Sequence, residues 1–231
     1  MDPSYPLISC ICITNNRIFL LKKAIQYFKS QDYPNKELVI SYPKNDKLTK
    51  YTIDKIRHTE NLNILKVERE IETNLGDARN QAIMQANGLY VCTWDDDDWY
   101  HASRLSFQFT GLQGLYNPYQ ASILNQLLLY DQTNKKAYLS FLYTWENTLL
   151  CKKEIFLKNQ YSSKHQGEDS NIIDYLNAEK LLHHVSKAPF LYIYVYHQGN
   201  TWNYAHFQSF FKRSEPLDDV LSAKIHDLID Y

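Results

Sequence analysis

The strongest constraint on the fold of this chain is a regular alternation of strand and helix patterns up to residue 94. Short apolar runs typical of buried strands lie at 7–13, 37–41, 64–67 and 89–94. Between them, apolar residues recur at helical spacing over 20–28, 52–57 and 76–86. Such alternation requires right-handed crossovers between parallel strands. The sequence therefore predicts an α/β fold with a mainly parallel sheet, and Asn15 or Asn16 as the N-cap of the first helix.

Four consecutive aspartates, Asp95 to Asp98, directly follow the apolar run that ends at Trp94. Like charges this close raise one another's pKa unless a cation compensates them. The carboxyl ends of strands are also where ligands bind in open α/β sheets. A solvated acidic turn is the alternative. The pattern favours a divalent metal and a phosphorylated substrate.

The second half of the chain shows a mixed pattern. We predict a helix at 103–115, antiparallel strands at 123–130 and 137–142, a strand at 147–151 and a short helix from Lys153. A further helix begins near Glu168, a strand follows at 192–196, and Pro216 opens a C-terminal helix. Because no linker or repeat separates the halves 1–110 and 111–231, we predict a single domain over 1–231.

Composition excludes several classes of protein. At 231 residues, with 44% hydrophobic and 22% charged residues, the chain fits one globular domain. A net charge of −1 argues against nucleic acid as a partner. Residues 1–6 lack a signal-peptide pattern, and no run reaches the roughly 18 apolar residues of a membrane span. The four cysteines lack CxxC spacing, as in a reduced protein, so we expect a cytoplasmic location.

Five segments of the chain carry a resemblance to a known family, and they are Ser9–Arg17, Gln31–Ile40, Leu75–Ala86, Gly88–Trp99 and Gly167–Asp169. Taken in order, they resemble the family 2 glycosyltransferases of the GT-A fold. A single such motif is weak support, but five in the family's order are strong. The resemblance implies a GT-A (Rossmann-like) sheet with flanking helices and a smaller antiparallel portion. It also implies a nucleotide-sugar-binding half at 1–110 and an acceptor-binding half with the C-terminal helix at 111–231.

The resemblance assigns roles to the aspartates. In the family's Asp-x-Asp motif, the first acid contacts the nucleotide ribose region and the last binds the metal, which here are Asp95 and Asp97. Asp96 then belongs to the nucleotide-sugar site, and Asp98 supports either role. His197 is similar to a C-terminal histidine that completes the metal site, although a structural histidine is equally compatible. A mixed imidazole–carboxylate site favours Mn²⁺ over Mg²⁺, and the metal would stabilise the departing diphosphate.

Other candidates for the nucleotide-sugar site follow the first strand and open the third helix. Thr14, Asn16 and Arg17 lie where the family approaches the nucleotide, although Asn16 also suits a helix cap. Arg79 can bridge acid and phosphate oxygens bidentately. Asp77 either orients Arg79 or stabilises the helix N-terminus.

The loop after the second strand departs from the family. The acidic base-reading loop is replaced by residues 41–46, so Tyr42 stands where an aspartate is usual. We expect Tyr42 to stack on the base, with Asn45 and Asp46 as substitutes for the missing acid. The departure weakens the assignment of uridine as the base, though not the fold.

Inverting transfer needs a base for the acceptor hydroxyl. The resemblance assigns this role to Asp169, with Glu168 as its neighbour or substitute, against the alternative of a helix N-cap. Trp145 and Glu146 are expected in the acceptor pocket, with Trp145 stacking on a sugar face.

The resemblance thus implies metal-dependent inverting transfer of a sugar from a nucleotide-diphosphate sugar, expected to be a UDP-sugar, to a hydroxyl of a glycan or lipid-linked acceptor. Bacterial surface polysaccharide synthesis is the expected setting. The chain would act in the cytoplasm, and peripheral association with the membrane is compatible with this. The alternative is a non-catalytic nucleotide-sugar-binding module, which an assay for released nucleotide would distinguish.

Overall fold

The computed structural model describes residues 5–114 and 117–230. Its first half alternates strands and helices as predicted, with slightly different ends. The strands are β1 (Ile8–Ile13), β2 (Lys36–Pro43), β3 (Ile64–Arg69) and β4 (Tyr90–Thr93), and the helices are α1 (Ile18–Lys29), α2 (Lys47–Glu60) and α3 (Leu75–Gln85).

The second half contains shorter elements. Its strands are β5 (Trp99–Tyr100), β6 (Ala121–Leu124), β7 (Leu128–Asp131), β8 (Lys136–Leu139), β9 (Leu150–Lys152), β10 (Leu182–Val185), β11 (Tyr192–Tyr196) and β12 (Glu215–Pro216). Its helices are α4 (Arg104–Thr110), α5 (Lys153–Lys158), α6 (Ser170–Ala178), α7 (Tyr204–Phe211) and α8 (Asp219–Asp230), with 3₁₀ turns at Glu146–Thr148 and Pro189–Leu191.

The strands form two sheets. The larger has seven strands in the order β10-β6-β9-β4-β1-β2-β3. In it β1 runs parallel to β2 and β4, and only β9 opposes its neighbours. The smaller has five strands in the order β12-β8-β7-β11-β5, paired antiparallel except between β7 and β11. The predicted α/β class, with a mainly parallel sheet and a smaller antiparallel portion, is confirmed.

Burial on both faces explains why β1 reads as a continuous apolar run. Cys10 and Cys12 pack with the apolar face of α1. Ile11 points the other way and packs with Ala82 and Ile83 of α3. Parallel strands covered by helices on both faces show this pattern. The sheet therefore holds the carboxyl ends of β1 and β4 side by side on a rigid base.

Several sequence predictions are wrong in detail. The predicted strand 123–130 is two strands, β6 and β7, which lie in different sheets. Pro216 lies in β12, and the C-terminal helix begins at Asp219. Residue Arg17, not Asn15 or Asn16, holds the N-cap position of α1, and it makes no side-chain capping bond. Helix α4 ends at Thr110, and the predicted helix end at Leu115 lies outside the described residues.

Two sequence predictions concern membrane-spanning segments and buried free thiols. Among the helices in this part of the chain, none combines the length and apolar character needed to cross a bilayer. All four cysteines are free and buried, as predicted. The single-domain prediction stays a prediction.

Candidate active site

The carboxyl end of β4 opens onto a cleft of about 210 Å³. Asp95, Asp96 and Asp97 line it, together with residues that precede and begin α6. Strand β4 has already ended at Thr93, so the direction of these side chains is set by their partners rather than by a strand pleat. Three of the four aspartates thus face the same space.

Asp98 lies outside this cleft. It is fully buried and accepts hydrogen bonds from the Tyr192 hydroxyl and, at 2.9 Å, from the backbone N–H of Val195. Burial, followed by the charge of Asp97, raises the pKa of Asp98 well above its usual value. Asp98 therefore ties the loop after β4 to β11, and the prediction that it supports the nucleotide or metal site is wrong.

Replacing Asp98 by alanine is expected to destabilise the protein by about 2–4 kcal/mol, because two buried donors lose their acceptor. Asp54→Ala is the matched control, since Asp54 makes an exposed pair with Lys66. Its expected cost is at most about 1 kcal/mol. Urea unfolding measures both, and equal costs would contradict a structural role for Asp98.

Asp96 is buried and bonded on both oxygens. The Thr14 hydroxyl donates to Oδ2 at 2.6 Å, and Arg17 Nη1 lies 3.4 Å from Oδ1. Burial, followed by the charge of Asp97, raises the pKa of Asp96 to about 7. Of the predicted residues, Arg17 lines the cleft, and Thr14 lies outside its lining and holds Asp96 in place.

Arg17 also neutralises Asp97. Its Nη1 donates to Asp97 Oδ2 at 3.0 Å, and Nη2 donates to the Gly199 carbonyl. Two acids thus share one guanidinium. In this conformation the guanidinium of Arg17 supplies the positive charge beside Asp96 and Asp97.

Asp97 and His197 are brought together as predicted. His197 Nε2 lies 3.1 Å from Asp97 Oδ2, and Asn200 Nδ2 lies 3.3 Å from the same oxygen. The described residues contain no group of three or more His, Cys, Asp or Glu side chains placed to hold a metal. Mg²⁺-type sites commonly use one or two carboxylates and complete the shell with substrate phosphates and water. The pair fits a metal held jointly with a diphosphate.

Arg79 bridges the two acidic groups of the cleft. Its Nη2 donates to Asp95 Oδ1 at 3.0 Å, and Nη1 donates to Glu168 Oε1 at 2.6 Å. Although burial opposes its charge, the carboxylates raise the pKa of Arg79 above its usual value. Arg79 therefore couples the end of β4 to the start of α6, and in this structure its partners are carboxylates.

Asp77 does not orient Arg79. It accepts from Asn74 Nδ2 at 2.6 Å and from the Ser163 hydroxyl at 2.7 Å, in the first turn of α3. The alternative prediction, a helix N-terminal acid, fits the structure. Nearby, a Cβ on Gly76 would lie 1.9 Å from the Ser162 carbonyl oxygen, so glycine lets α3 approach the loop that carries Glu168.

Asp169 and Glu168 have different surroundings. Glu168 is buried and engaged by Arg79, and burial raises its pKa. Asp169 occupies the N-cap position of α6 yet makes no capping hydrogen bond, and its nearest Arg79 nitrogen is 3.9 Å away. The Asp169 carboxylate is therefore the freer of the two, and a capping role does not explain it.

Trp145 and Glu146 also line the cleft. Burial, followed by the neighbouring Asp169 carboxylate, raises the pKa of Glu146 to about 8, so Glu146 is mostly protonated at neutral pH. Trp145 is only 2% exposed, which leaves too little ring surface for the predicted stacking on a sugar. None of the residues that the structure describes accepts a hydrogen bond from its buried indole N–H.

The loop after β2 differs from its predicted role. Tyr42 is completely buried and its hydroxyl donates to Glu68, so its ring offers no face to a base. Asn45 is exposed outside the cleft lining. Asp46 caps α2 and accepts from the backbone N–H of Asn16 at 3.0 Å, which ties this loop to the one after β1.

Sequence reasoning missed a set of cleft residues near α7. Asn200 was not predicted, and neither was a series of aromatic side chains spaced four residues apart. That spacing, which places side chains on one face of a helix, was the available signal. The missed aromatic residues of this segment are Trp202, His206 and Phe210.

Comparisons with known proteins agree with this geometry. Residues 9–114 match the family model described as "Glycosyl transferase family 2". A Campylobacter jejuni protein named GalNAc(5)-diNAcBac-PP-undecaprenol beta-1,3-glucosyltransferase is 22% identical over 76% of this chain and 61% of its own length. The putative colanic acid biosynthesis glycosyl transferase WcaA of Escherichia coli is 35% identical over 44% of this chain and 36% of its own length.

Solved structures share the fold. Staphylococcus aureus TarS in complex with UDP-GlcNAc superposes with a TM-score of 0.67 at 16% identity, over 84% of this chain and 60% of that one. The mannosyltransferase PcManGT of Pyrobaculum calidifontis, in complex with GDP-Man and Mn²⁺, gives 0.65 at 16% identity, over 84% and 58%. The chain thus spans about three fifths of these structures.

The fold is that of the GT-A glycosyltransferase structures. Within that fold, residues 9–114 match the sequence pattern of glycosyl transferase family 2. The resemblance inferred from the five sequence segments is confirmed.

Proposed function

We propose that this chain catalyses metal-assisted, inverting transfer of a sugar from a nucleotide-diphosphate sugar, expected to be a UDP-sugar, to a hydroxyl of a glycan or lipid-linked acceptor. The observation that carries the proposal is the pairing of two acidic groups across one cleft. Asp95 to Asp97 lie at the end of β4, Glu168 and Asp169 lie at the start of α6, and Arg79 contacts both groups.

The first group would serve the donor. Asp97 and His197 would hold the divalent metal, Mn²⁺ or Mg²⁺, which when bound supplies positive charge for the departing diphosphate. Thr14 and Arg17 fix Asp96 beside it. Asp95, held by Arg79, would face the nucleotide ribose region. Arg17 is the cation that the donor must displace or share, since it already contacts Asp97.

The second group would serve the acceptor. Asp169 would take the proton of the acceptor hydroxyl as that oxygen forms its bond to the anomeric carbon and the bond to the diphosphate breaks. Glu168 stays paired with Arg79 and positions the loop. Glu146, mostly protonated at neutral pH, can donate a hydrogen bond within the acceptor pocket while Asp169 accepts one.

The relatives support the setting of this reaction. One curated relative is named for transfer to an undecaprenol-linked glycan and another for colanic acid biosynthesis. We therefore propose surface polysaccharide or glycan synthesis as the role, at the cytoplasmic face of a membrane. The non-catalytic alternative rests on the altered loop after β2, and the complete set of cleft carboxylates disfavours it.

Thermal-shift measurements with UDP, UDP-sugars and GDP-mannose test the proposal. Mn²⁺ and the correct nucleotide sugar together are expected to raise the melting temperature more than either alone, because the metal and diphosphate complete one site. Nucleotide release on adding acceptor then distinguishes an enzyme from a binding module. If no nucleotide sugar shifts the melting temperature with Mn²⁺, the proposed donor site is wrong.

A further inference from the structure

The acceptor side of the cleft carries an aromatic wall, which we define as Tyr143, Tyr194, Trp202, His206 and Phe210. These side chains come from the loop after β8, from β11 and from α7 with its preceding loop. Four of them pack in a row: the rings of Trp202 and His206 stack at 4.2 Å, those of His206 and Phe210 meet edge to face at 4.6 Å, and Phe210 lies 6.3 Å from Tyr143. The wall is therefore a built surface rather than a scatter of aromatic residues.

The wall is not a closed core. Tyr143 is 46% exposed, and Trp202 is partly exposed although one of its faces is covered by His206. Behind Tyr143 lies the buried Trp145, whose ring centroid is 5.3 Å from that of Tyr143. A partly exposed aromatic surface suits a ligand with an apolar ring face and hydroxyl groups at its edge.

The charge of the cleft limits the ligand further. Six carboxylic side chains line it, and Arg17 and Arg79 are its only permanently charged cations among the described lining residues. Both arginines are engaged by these acids. Burial also lowers the pKa of His206, so its ring is neutral at pH 7. Among the described lining residues, the acceptor side therefore offers no free, permanently charged cation to a phosphorylated or carboxylated ligand.

We propose that the aromatic wall binds a neutral pyranose, the terminal uncharged sugar of the acceptor, with its ring face against Tyr143 and Trp202. This inference rests on the proposed function, which it deepens by naming the acceptor class. The sugar's hydroxyl edge would then lie toward Glu146 and Asp169, which line the same cleft. Phosphorylated polyols are excluded as acceptors by the same arrangement of charge.

Saturation-transfer NMR tests the proposal with methyl glycosides of glucose, galactose and N-acetylglucosamine as neutral probes and glycerol 3-phosphate as the anionic probe. Each is measured with the full chain, alone and with UDP and Mn²⁺. At least one glycoside is expected to receive saturation at its ring protons, while glycerol 3-phosphate receives none. Saturation of glycerol 3-phosphate alone would overturn the proposal.

Variants locate the binding. Tyr143→Ala and Trp202→Ala are each expected to weaken glycoside binding about 2- to 10-fold, while Trp202→Phe restores most of it. Tyr51→Ala, which removes an exposed tyrosine from α2, is the matched control and is expected to change nothing. Equal binding in all four variants would overturn the assignment to the wall.

The two proposals fail in different ways. If UDP with Mn²⁺ stabilises the protein but no neutral glycoside binds, the acceptor assignment is wrong and the proposed function stands. If glycosides bind at the wall but no nucleotide does, the wall is a sugar site and the proposed transferase is wrong.

Discussion

The Asp97→Asn variant is expected to lose transfer by about a hundred- to a thousandfold while keeping its fold. Asp97 would supply the carboxylate that holds the metal, and metal stabilisation of a leaving group is worth several kcal/mol. Each 1.4 kcal/mol or so corresponds to a factor of ten in rate. Asparagine keeps the size of the side chain and can still accept from Arg17 and His197, so the folded structure is preserved. Transfer assays at saturating donor, with and without Mn²⁺, give the measurement.

The Arg17→Gln variant serves as a control, because it is expected to change the affinity for Mn²⁺ in the opposite direction. Arg17 Nη1 lies 3.0 Å from the Asp97 oxygen that the metal would use, so the guanidinium and the metal compete for it. Removing the guanidinium is expected to tighten Mn²⁺ binding in the absence of nucleotide, whereas Asp97→Asn weakens it. Electron paramagnetic resonance of free Mn²⁺ measures both affinities directly. If Arg17→Gln binds Mn²⁺ no more tightly than the native protein, Arg17 does not occupy the cation's place.

The first half of the fold was predictable because its physical constraints are local. Strands β1 and β4 are buried on both faces, so each is an almost uninterrupted apolar run, whereas β3 at the sheet edge is only partly buried. Each intervening helix carries one apolar face, as α1 does with Leu21, Ala24, Ile25 and Phe28. The local apolar pattern and the tertiary packing therefore favour the same strands and helices, and these elements differ from the prediction only at their ends.

The second half was less predictable because its chain changes sheets. Residues 123–130 look like one strand, but β6 joins the larger sheet and β7 the smaller. The break is fixed by tertiary hydrogen bonds, such as Asn125 N–H to the Val185 carbonyl and Leu127 N–H to the Ser140 hydroxyl. Such partners are more than a dozen residues away, so no local pattern reveals them.

The site shows the same division. The aspartates, Arg79, Glu168 and Asp169 were found because their residue types and order carry the signal. Their individual partners were not predictable. Asp98 follows the cleft residue Asp97 in sequence yet is buried against Tyr192, and Tyr42 is buried with its hydroxyl on Glu68. Neighbouring side chains beyond a strand end can point in opposite directions. The sequence therefore located the site at the carboxyl end of β4, and the structure shows which of its residues face the cleft.

Asp169→Asn is expected to reduce transfer by about a thousandfold with donor binding unchanged, because general base catalysis contributes about 10²–10⁴ in rate. Asparagine is nearly the same size and cannot take the proton. Asp169 makes no capping bond in α6, so its replacement costs the helix little. Nucleotide-sugar thermal shifts should therefore match those of the native protein while the rate of transfer falls.

Glu146→Gln distinguishes a base from a neighbouring acid. Because Glu146 is mostly protonated at neutral pH, it acts there as a donor, and the glutamine amide keeps a donor at that position. The Glu146→Gln variant should therefore transfer sugar at least about ten times faster than the Asp169→Asn variant. If instead Asp169→Asn transfers sugar at nearly the native rate and Glu146→Gln does not, Glu146 is the base. In that case the proton must be taken by a carboxylate whose pKa of about 8 makes transfer rise steeply from pH 6 to pH 8, because only the deprotonated form accepts.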